Sequence, residues 1–368
     1  MKIGILTSSR ADFGIYLPLL KVIKNDKFFQ IEIIAFGTHV SKFHGYTIDD
    51  IKSEEIGPIH HIATLLTDDD EASITTSYGL TIIKFAEFYK EHSYDLVFCL
   101  GDRFEMNAAV QAGIPFGIKF AHIHGGETTL GAIDNIYRHQ ITLASTYHFA
   151  TTDEYVSKIE KLIGENKNIF YVGSLSLSGI QKLNLLERTV FLNKFNIPNN
   201  EYVLATFHPE TVNSIDNKEH VKNMAQSLEE ISKFINVVVT MPNADTNGSI
   251  FRKELNRLNG EYPERIILIE NFGKINYFSA MKYCKFLLGN SSSGIIEAAS
   301  FGKYVVNIGN RQKGRAQSNN IINANFSVDQ IVKAANEANS KGDFEGNNIY
   351  KKDGSAEEIV KIIKKQIA

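Results

Sequence analysis

Short runs of apolar residues alternate along this chain with longer segments in which apolar residues recur every three or four positions. The short runs are rich in β-branched residues and predict buried strands, whereas the periodic segments predict helices. In the first half of the chain the predicted strands are Lys2–Thr7, Ile31–Phe36, Asp95–Leu100, Phe116–Ile123 and Tyr147–Thr151. The helices predicted between them are Tyr16–Asn25, Ala72–His92, Phe104–Gly113 and Asn135–Ala144.

The same alternation begins again after Pro198. It predicts the strands Tyr202–Thr206, Asn236–Thr240, Arg265–Ile269, Phe286–Gly289 and Tyr304–Ile308, and the helices Glu219–Phe234, Ile250–Leu258, Ile275–Tyr283 and Gly294–Phe301. Alternation of strands and helices favours parallel sheets that are covered on both faces. We therefore predict an α/β protein of two doubly wound, Rossmann-like domains at residues 1–175 and 176–354, followed by a C-terminal helix at 355–368.

Length, net charge and cysteine content exclude several classes of function and location for this protein. The 368 residues suit two domains better than one, and the net charge of −3, without a dense basic run, argues against nucleic-acid binding. No apolar segment approaches the ~20 residues of a membrane span. The first ten residues predict a strand and not a signal peptide. Cys99 and Cys284 each lie at the end of an apolar run and are predicted to be buried and reduced, so we expect a cytoplasmic protein.

Titratable residues concentrate at the carboxyl end of the predicted strand Phe116–Ile123, in the sequence HIHGGE (His122 to Glu127). Asp134 and the pair Arg138–His139 follow closely. The two adjacent glycines allow a sharp turn and leave room for a ligand. Ionisable groups at the carboxyl end of a buried strand are typical of an α/β active site, although a polar loop with hydrogen-bonded histidines would give the same pattern.

Two more polar motifs follow predicted strands of the first domain. Arg10 and Asp12 come after the first strand, where arginine suits a phosphate and Asp12 could equally cap the next helix. Asp102 and Arg103 follow the strand Asp95–Leu100. Asp102 is a candidate acid or base, or an N-cap of the following helix.

The second domain has its own candidates at strand ends. His208 follows Tyr202–Thr206, and Asn243 follows Asn236–Thr240, where a sugar contact and an ordinary turn are both possible. The sequence Gly289–Glu297, GNSSSGIIE, joins a strand to a helix, and its amides and hydroxyls could hold a diphosphate around Ser291 and Ser292. Glu297 could accept hydrogen bonds from the ribose hydroxyls, although a serine-capped helix that binds no ligand would have the same sequence.

Two familiar nucleotide motifs are missing from the sequence. There is no GxxxxGK[ST], which argues against ATP-type phosphoryl transfer, and no GxGxxG after the first strand, which argues against a dinucleotide cofactor. Three cations in Gly309–Arg315, among them Arg311, favour an anionic ligand near the serine-rich turn.

The chain resembles the hydrolysing UDP-N-acetylglucosamine 2-epimerases of bacterial sialic acid biosynthesis. The resemblance spans nearly the whole chain and depends on seven motifs in order: TSSRADFG, GDRFE, HIHGGE with Asp134 and the following RH, FHPET, NADTNG, GNSSSGIIE and IGNRQKGR. It implies a glycosyltransferase-B-like fold in which two domains face a central cleft that binds UDP, with the C-terminal helix packing back on the first domain.

The resemblance also implies roles for individual positions. Asp102 and Asp134 match acidic residues assigned to catalysis, and the HIHGGE loop supplies Glu127 and His124. The residues that correspond to contacts with the UDP-sugar are Arg10, Arg103, His208, Asn243, Phe272, Ser291, Ser292, Glu297 and Arg311. His208, near the phosphates, is also counted among the catalytic residues. Phe272 would meet the uracil through its backbone.

The implied reaction needs no cofactor and no metal. UDP leaves C1 as a base removes the C2 proton, giving a 2-acetamidoglucal, and water then adds at C1 while C2 is protonated on the opposite face. Such a reaction needs groups that stabilise the departing diphosphate, and an acid and a base flanking C1 and C2. The products would be N-acetylmannosamine and UDP, and the resemblance implies a homodimer or homotetramer.

One position departs from the pattern. Many relatives carry a catalytic glutamate where this chain has His124, so we hypothesise that His124 or Glu127 takes that role. The alternatives are a related epimerase acting on UDP-2,4-diacetamido-2,4,6-trideoxyglucose in legionaminic acid synthesis, a glycosyltransferase of the same fold, and a metal-dependent hydrolase with His122, His124 and Glu127 as ligands.

Overall fold

The structure is a computed structural model that describes residues 1–44, 46–68, 70–210, 212, 216–242 and 248–367. The strands are β1 Lys2–Thr7, β2 Gln30–Phe36, β3 Ile59–Ile62, β4 Leu96–Leu100, β5 Phe120–Ile123, β6 Tyr147–Ala150, β7 Ile169–Tyr171, β8 Tyr202–Thr206, β9 Asn236–Thr240, β10 Ile266–Ile269, β11 Leu287–Gly289, β12 Val305–Ile308 and β13 Ile321–Ala324. The α-helices are α1 Arg10–Lys24, α2 Ile48–Ser53, α3 Glu71–Glu91, α4 Phe104–Gly113, α5 Asp134–Ala144, α6 Asp153–Ile163, α7 Arg188–Lys194, α8 Asn217–Ile231, α9 Gly248–Glu261, α10 Lys274–Tyr283, α11 Ser292–Ile296, α12 Val328–Ser340 and α13 Ser355–Ile367.

The chain divides into two compact units. The first contains Met1–Glu127, Ile133–Ile180 and Tyr350–Ala368, and the second contains Thr128–Ala132 and Gln181–Ile349. The first unit extends beyond residue 175 because Leu175 is buried in its core, and it resumes at Tyr350, whose hydroxyl lies 3.0 Å from that of Tyr155. Thr128–Ala132 joins the second unit because the Leu130 amide donates to the Lys313 carbonyl at 2.9 Å.

The first unit is built on a parallel sheet, in the order β3-β2-β1-β4-β5-β6-β7 among the described residues. One apolar core covers the face on which α1 and α13 lie, and it includes Tyr16, Leu20 and Ile359. A second core covers the opposite face with residues of α3, α4 and α5, such as Phe85 and Met106. Because both faces are buried, the strands can be apolar throughout, as β4 is.

The second unit repeats this plan with the parallel order β10-β9-β8-β11-β12-β13. Residues of α8, α9 and α12 pack on one face, with Leu228, Phe251 and Ile331 at the centre. Residues of α7 and α10 pack on the other, with Phe191 and Met281. The α/β class and the pair of doubly wound sheets predicted from the sequence are confirmed.

The strand order fixes where ligands can bind. In each sheet the order reverses direction at one point, between β1 and β4 in the first unit and between β8 and β11 in the second. Loops that leave the carboxyl ends of such neighbouring strands diverge and form a crevice, which is where open α/β sheets bind ligands. The motifs with Asp12, Asp102, His208 and Ser291 follow these four strands.

Some predicted elements have different bounds. The predicted strand Phe116–Ile123 begins only at Phe120, because Ile114–Phe116 forms a 3-10 turn that contains Pro115. The predicted helix Tyr16–Asn25 begins earlier, at Arg10, where Ser9 and Asp12 form a capping box. The predicted helix Gly294–Phe301 is divided into the single-turn α11 and a 3-10 segment at Ala298–Phe301.

Among the described residues, every helix is too short or too polar to span a lipid bilayer.

Candidate active site

The loop after β1 is organised by a buried carboxylate. Asp12 Oδ2 accepts hydrogen bonds from the Ser8 amide at 3.0 Å, the Ser8 hydroxyl at 2.7 Å and the Ser9 amide at 3.1 Å. Burial raises the pKa of Asp12, and the charge of Arg103 opposes that rise. Asp12 therefore shapes the loop as the third helical residue of the capping box, with Ser9 as the N-cap, and Arg10 is exposed at the first position of α1.

The loop after β4 carries two ion pairs. The Arg103 guanidinium donates from Nε and Nη2 to the two carboxylate oxygens of Glu105, at 3.2 and 2.9 Å, and Glu105 is fully buried. Asp102 Oδ2 accepts from Nη2 of Arg138, and Arg138 Nη1 donates to the Glu127 carbonyl at 2.9 Å. The Asp102 side chain is 25% exposed, whereas that of Arg138 is 3% exposed. A ligand can therefore reach the carboxylate of Asp102, while the buried guanidinium of Arg138 fixes its position.

His122 connects this loop to α5. Its Nε2–H donates to the Gly101 carbonyl at 2.8 Å, which leaves Nδ1 as the acceptor facing the Thr142 hydroxyl at 3.1 Å. Burial lowers the pKa of His122 to about 3, so the ring stays neutral and holds the Gly101–Asp102 turn. With both nitrogens used in this way, His122 does not join His124 and Glu127 in a ligand group within the described residues, which argues against the metal-hydrolase alternative.

Acid is expected to destabilise the first unit. Burial also lowers the pKa values of His39 and His148 to about 4, from an ordinary 6.5. Between the folded and unfolded pKa values the unfolded chain binds protons that the folded chain does not, so stability is complete above pH 6.5 and falls as the pH drops toward 4. The loss is at most about 1.4 kcal/mol per pH unit for each histidine.

Urea unfolding at pH 7 and pH 5 measures this loss. His148→Phe removes one titrating ring and should reduce the difference between the two pH values, whereas His61→Gln, at an exposed position, should leave it unchanged. An unchanged difference in His148→Phe would mean that this ring does not carry the effect.

His124 and Glu127 form a buried pair at the end of β5. His124 Nδ1 lies 2.7 Å from Glu127 Oε1, which also accepts from the Thr151 hydroxyl at 3.0 Å. On the other side of the ring, Nε2 lies 3.4 Å from the Ser174 hydroxyl. Glu127 is 0% exposed and His124 is 6% exposed, so the Glu127 carboxylate lies on the buried side of the imidazole, away from solvent.

The backbone of this loop is constrained. His124 has a φ of +66°, in the left-handed region that non-glycine residues seldom adopt. Gly126 has a φ of +76°, and a Cβ there would lie 2.7 Å from the Tyr155 carbonyl oxygen. The left-handed backbone at His124 and Gly126 turns the chain immediately after β5, so that the Glu127 carboxylate contacts the His124 ring. Asp134 begins α5 one turn before Arg138, on the same side of that helix.

The second unit holds His208 through its backbone. The His208 amide donates to Asn290 Oδ1 at 2.7 Å, and Asn290 Nδ2 donates back to the His208 carbonyl at 2.8 Å. This reciprocal pair joins the loop after β8 to the loop after β11. The Asn290 carbonyl in turn accepts from Arg311 Nη1 at 3.2 Å and from Gln312 Nε2 at 2.9 Å. His208, the serine-rich turn and Arg311 are therefore assembled around one asparagine.

The serine-rich turn begins with Ser291, whose hydroxyl accepts from the Ser293 amide at 3.3 Å as the N-cap of α11. Ser292 is the first residue of that helix, and Glu297 is its buried C-cap. A helix of one turn contributes little macrodipole, so any anion here would be held mainly by amides and hydroxyls, the groups that the sequence analysis named.

Phe272 and Asn243 complete the predicted set. Phe272 follows β10 and is buried against Phe195, with ring centroids 4.7 Å apart, and its carbonyl accepts from Asn276 Nδ2 at 2.7 Å. Its side chain is thus part of the core. Asn243 and the NADTNG motif lie outside the described residues, apart from Gly248.

Gly289 sets the direction of the serine-rich turn, and its replacement by alanine is expected to be costly. Its φ is +124°, and a Cβ would lie 2.0 Å from the Thr206 carbonyl oxygen in the neighbouring strand. We expect Gly289→Ala to lower the free energy of unfolding by at least about 2 kcal/mol and to weaken UDP binding.

Gly260 provides the control, because a Cβ there meets nothing within 4 Å and α9 is a regular helix. Gly260→Ala should be neutral or stabilising. Thermal unfolding and a UDP titration of both variants make the comparison, and equal stability of Gly289→Ala and the parent would contradict the steric argument.

Residues 21–364 match the family model described as UDP-N-acetylglucosamine 2-epimerase. The chain belongs to this family. It is 34% identical, over 88% of its length and 84% of the relative's, to the GDP/UDP-N,N'-diacetylbacillosamine 2-epimerase (hydrolyzing) of Campylobacter jejuni. It is 30% identical, over 99% of its length and 95% of the relative's, to the UDP-N,N'-diacetylbacillosamine 2-epimerase (hydrolyzing) of Legionella pneumophila.

A solved structure supports the fold of this family member. The UDP-GlcNAc 2-epimerase of Neisseria meningitidis, bound to UDP-GlcNAc, superposes with a TM-score of 0.82 over 100% of both chains. The identity is 16%, so this likeness concerns the fold alone. The predicted resemblance to the family and the glycosyltransferase-B-like fold class are confirmed.

Several residues of these clusters were not assigned from the sequence. Ser174 and Thr151 contact the His124–Glu127 pair, and Asn290 and Gln312 support the loops of the second unit. Arg138 was noted as part of a motif, but nothing in the sequence pairs it with Asp102, 36 positions away. A polar residue directly after a strand is the one sequence pattern that could have identified them, and both Asn290 and Thr151 stand in such a position.

Proposed function

We propose that this protein is a hydrolysing 2-epimerase that converts UDP-N,N'-diacetylbacillosamine, a UDP-2,4-diacetamido-2,4,6-trideoxyglucose, into UDP and the free C2 epimer. The observation that carries the proposal is that two relatives at 30% identity or more, each covering most of the chain, bear this substrate in their names. The sequence motifs alone favoured UDP-N-acetylglucosamine, with the diacetamido sugar as the alternative. The relatives favour the alternative.

We assign the nucleotide to residues of the second unit. Ser291 and Ser292 offer hydroxyls and amides to the diphosphate, Arg311 adds a cation, and Glu297 is the candidate acceptor for the ribose hydroxyls. The backbone near Phe272 is the candidate contact for uracil, and Asn243 stays a predicted substrate contact. The fixed donors stabilise charge as it develops on the departing UDP.

The phosphates also need partners from Arg10, Arg103 and His208. Arg10 is exposed at the start of α1, and Arg103 is held in one orientation by the buried Glu105. A guanidinium fixed in this way contributes charge without having to be reoriented during the reaction. His208 is held at its backbone by Asn290, and its imidazole is the candidate contact to the phosphates.

The proton transfers fall to Asp102, Asp134 and His124. Asp102 is partly exposed and is supported by Arg138, and Asp134 lies one turn before Arg138 on α5. For the position where many relatives have glutamate, the geometry favours His124 over Glu127. Glu127 is fully buried and binds Nδ1, so Nε2 of His124, which lies 3.4 Å from the Ser174 hydroxyl, is the ring atom that we propose exchanges a proton with the sugar.

In the proposed sequence the C1–O bond breaks first and UDP departs with the bonding electrons. A base then removes the C2 proton, and the electron pair of that C–H bond forms the C1–C2 double bond of the glycal. Water adds to C1 while an acid protonates C2 from the opposite face, which inverts C2. Asp102, Asp134 and His124 share these acid and base roles.

UDP-N-acetylglucosamine is the second candidate substrate, because the family model and the structurally similar meningococcal enzyme bear that name. The test is to incubate the purified protein separately with UDP-N,N'-diacetylbacillosamine, its GDP-linked counterpart and UDP-N-acetylglucosamine, and to compare kcat/KM for nucleotide release. We expect the highest value for the first. A higher value for UDP-N-acetylglucosamine would assign the protein to the sugar predicted from the sequence. Assembly as a homo-oligomer and a cytoplasmic location stay predictions.

A further inference from the structure

A cluster of two histidines and a carboxylate lies at the amino ends of the strands in the first unit. Glu32 belongs to β2, His60 to β3, and His92 is the C-cap residue of α3. One ligand atom from each of the three lies within 4.8 Å of the other two. The catalytic candidates follow the carboxyl ends of the strands, so this cluster is at the opposite edge of the sheet and takes no part in the proposed reaction.

The strand register brings these residues to one face. Glu32 pairs with Gly4 of β1, and His60 pairs with Ile34 of β2. Because side chains alternate along a strand, Glu32 and His60 share the face that holds Ile34 and the core under α3. α3 ends above this face, which places His92 beside His60 with ring centroids 4.6 Å apart. His61, the next residue of β3, lies on the other face and is exposed.

The carboxylate of Glu32 has two differently engaged oxygens. Oε2 accepts from His60 Nε2 at 3.0 Å and from the Tyr94 hydroxyl at 2.8 Å, whereas Oε1 is paired with Lys2 Nζ at 3.0 Å. The first oxygen therefore faces the histidines, and the second is neutralised by the lysine. This is the arrangement of a one-oxygen metal ligand whose other oxygen is fixed by a partner outside the coordination sphere.

We propose that Glu32, His60 and His92 bind one divalent transition-metal ion of the zinc class. Two imidazoles and a carboxylate suit Zn²⁺ or Co²⁺, whereas Mg²⁺ and Ca²⁺ prefer oxygen ligands. In a tetrahedral site with bonds of about 2.0–2.1 Å, neighbouring ligand atoms lie roughly 3.3 Å apart. The 3.0 Å between Glu32 Oε2 and His60 Nε2 is near that spacing. Water completes the four ligands.

Proton balance at the site is simple. Without metal, the Nε2 proton of His60 donates to Glu32. When Nε2 binds the ion, that proton moves to Nδ1 through solvent, so the ring stays neutral and no net proton is lost at this residue. Lys2 remains on Oε1 of Glu32, where its charge lowers but does not abolish the attraction for a dication.

A bound ion would join the end of α3 to the edge strands β2 and β3. His60 and His92 are only partly buried, so an ion can enter from solvent. Binding to the folded state alone raises stability in proportion to the logarithm of ligand concentration over Kd. We therefore expect Zn²⁺ to raise the Tm of the parent protein and to leave kcat unchanged.

The test uses untagged, full-length protein that has been freed of metal with a chelator and then titrated with Co²⁺. The parent should develop the visible absorption bands of a tetrahedral cobalt–histidine site at one equivalent, and Zn²⁺ should displace them. His92→Ala and Glu32→Gln should each weaken binding by at least about tenfold, the scale on which even the loss of an outer partner acts. His61→Ala is the matched control and should bind like the parent.

Three outcomes would overturn the proposal. One is the lack of a one-equivalent transition in the parent, which needs no variant and is independent of their folding. Another is binding that persists unchanged in His92→Ala and Glu32→Gln, which would locate the ion at other histidines. The third is equal loss of binding in His61→Ala.

Discussion

Replacing Asp102 with asparagine is expected to lower kcat for release of UDP by about 10²–10⁴-fold, the usual contribution of a positioned acid or base. Asparagine keeps the size of the side chain but cannot exchange the proton. Asp102 is the partly exposed member of its ion pair with Arg138, so its carboxylate is available to a sugar. The measurement is the steady-state rate of UDP release under saturating nucleotide sugar.

Asp353→Asn is the control for this variant, because Asp353 is 91% exposed and makes only a long contact to Lys351. The removal of Asp102 also leaves the buried charge of Arg138 without this partner, so the Tm of both variants must be measured to separate loss of fold from loss of chemistry. A folded Asp102→Asn protein that binds UDP and retains the parental kcat would remove Asp102 from the mechanism.

The second large effect is expected at His124. We expect His124→Ala to lower kcat by about 10²–10⁴-fold and Glu127→Gln to lower it less, because Glu127 acts through the imidazole. The measurement is the steady-state rate of UDP release for both variants, taken beside the Tm of each.

His61→Ala serves again as the matched histidine, since its ring is exposed and far from these loops in sequence. The Tm of each variant distinguishes the two roles, because a merely structural Glu127 would lower the Tm together with the activity. If Glu127→Gln is inactive while His124→Ala is nearly as active as the parent, the base is Glu127 and the assignment to His124 is wrong.

The sequence predicted the α/β class well because the central strands are strongly apolar. β4 and β8 are buried along their whole length, and their nearly uniform apolar sequences predict this burial directly. The edge strands β3, β7 and β13 were missed, because segments such as Ile59–Ile62, which contains two histidines, look polar when read alone. Their strand character comes from hydrogen bonding to a neighbour that is already formed, which is a tertiary effect.

The candidate site was predictable in its positions and not in its contacts. Polar residues after β1, β4, β8 and β11 identify the loops, because the strand order makes neighbours of the loops after β1 and β4 in one sheet and of those after β8 and β11 in the other. The burial of Glu127 behind His124 depends on Thr151 and on the left-handed backbone of His124, which no local pattern encodes. The contact of Ser174 with His124 joins residues 50 positions apart, and only the complete fold brings them together.

We propose that the protein hydrolyses a UDP-sugar through a 2-acetamidoglucal and inverts C2. The most direct measurement is to run the reaction with UDP-N,N'-diacetylbacillosamine in D₂O and to analyse the released sugar by NMR and mass spectrometry. We expect a C2-epimerised free sugar that carries one deuterium at C2, together with one equivalent of UDP. Released sugar with its original C2 configuration and protium at C2 would contradict it.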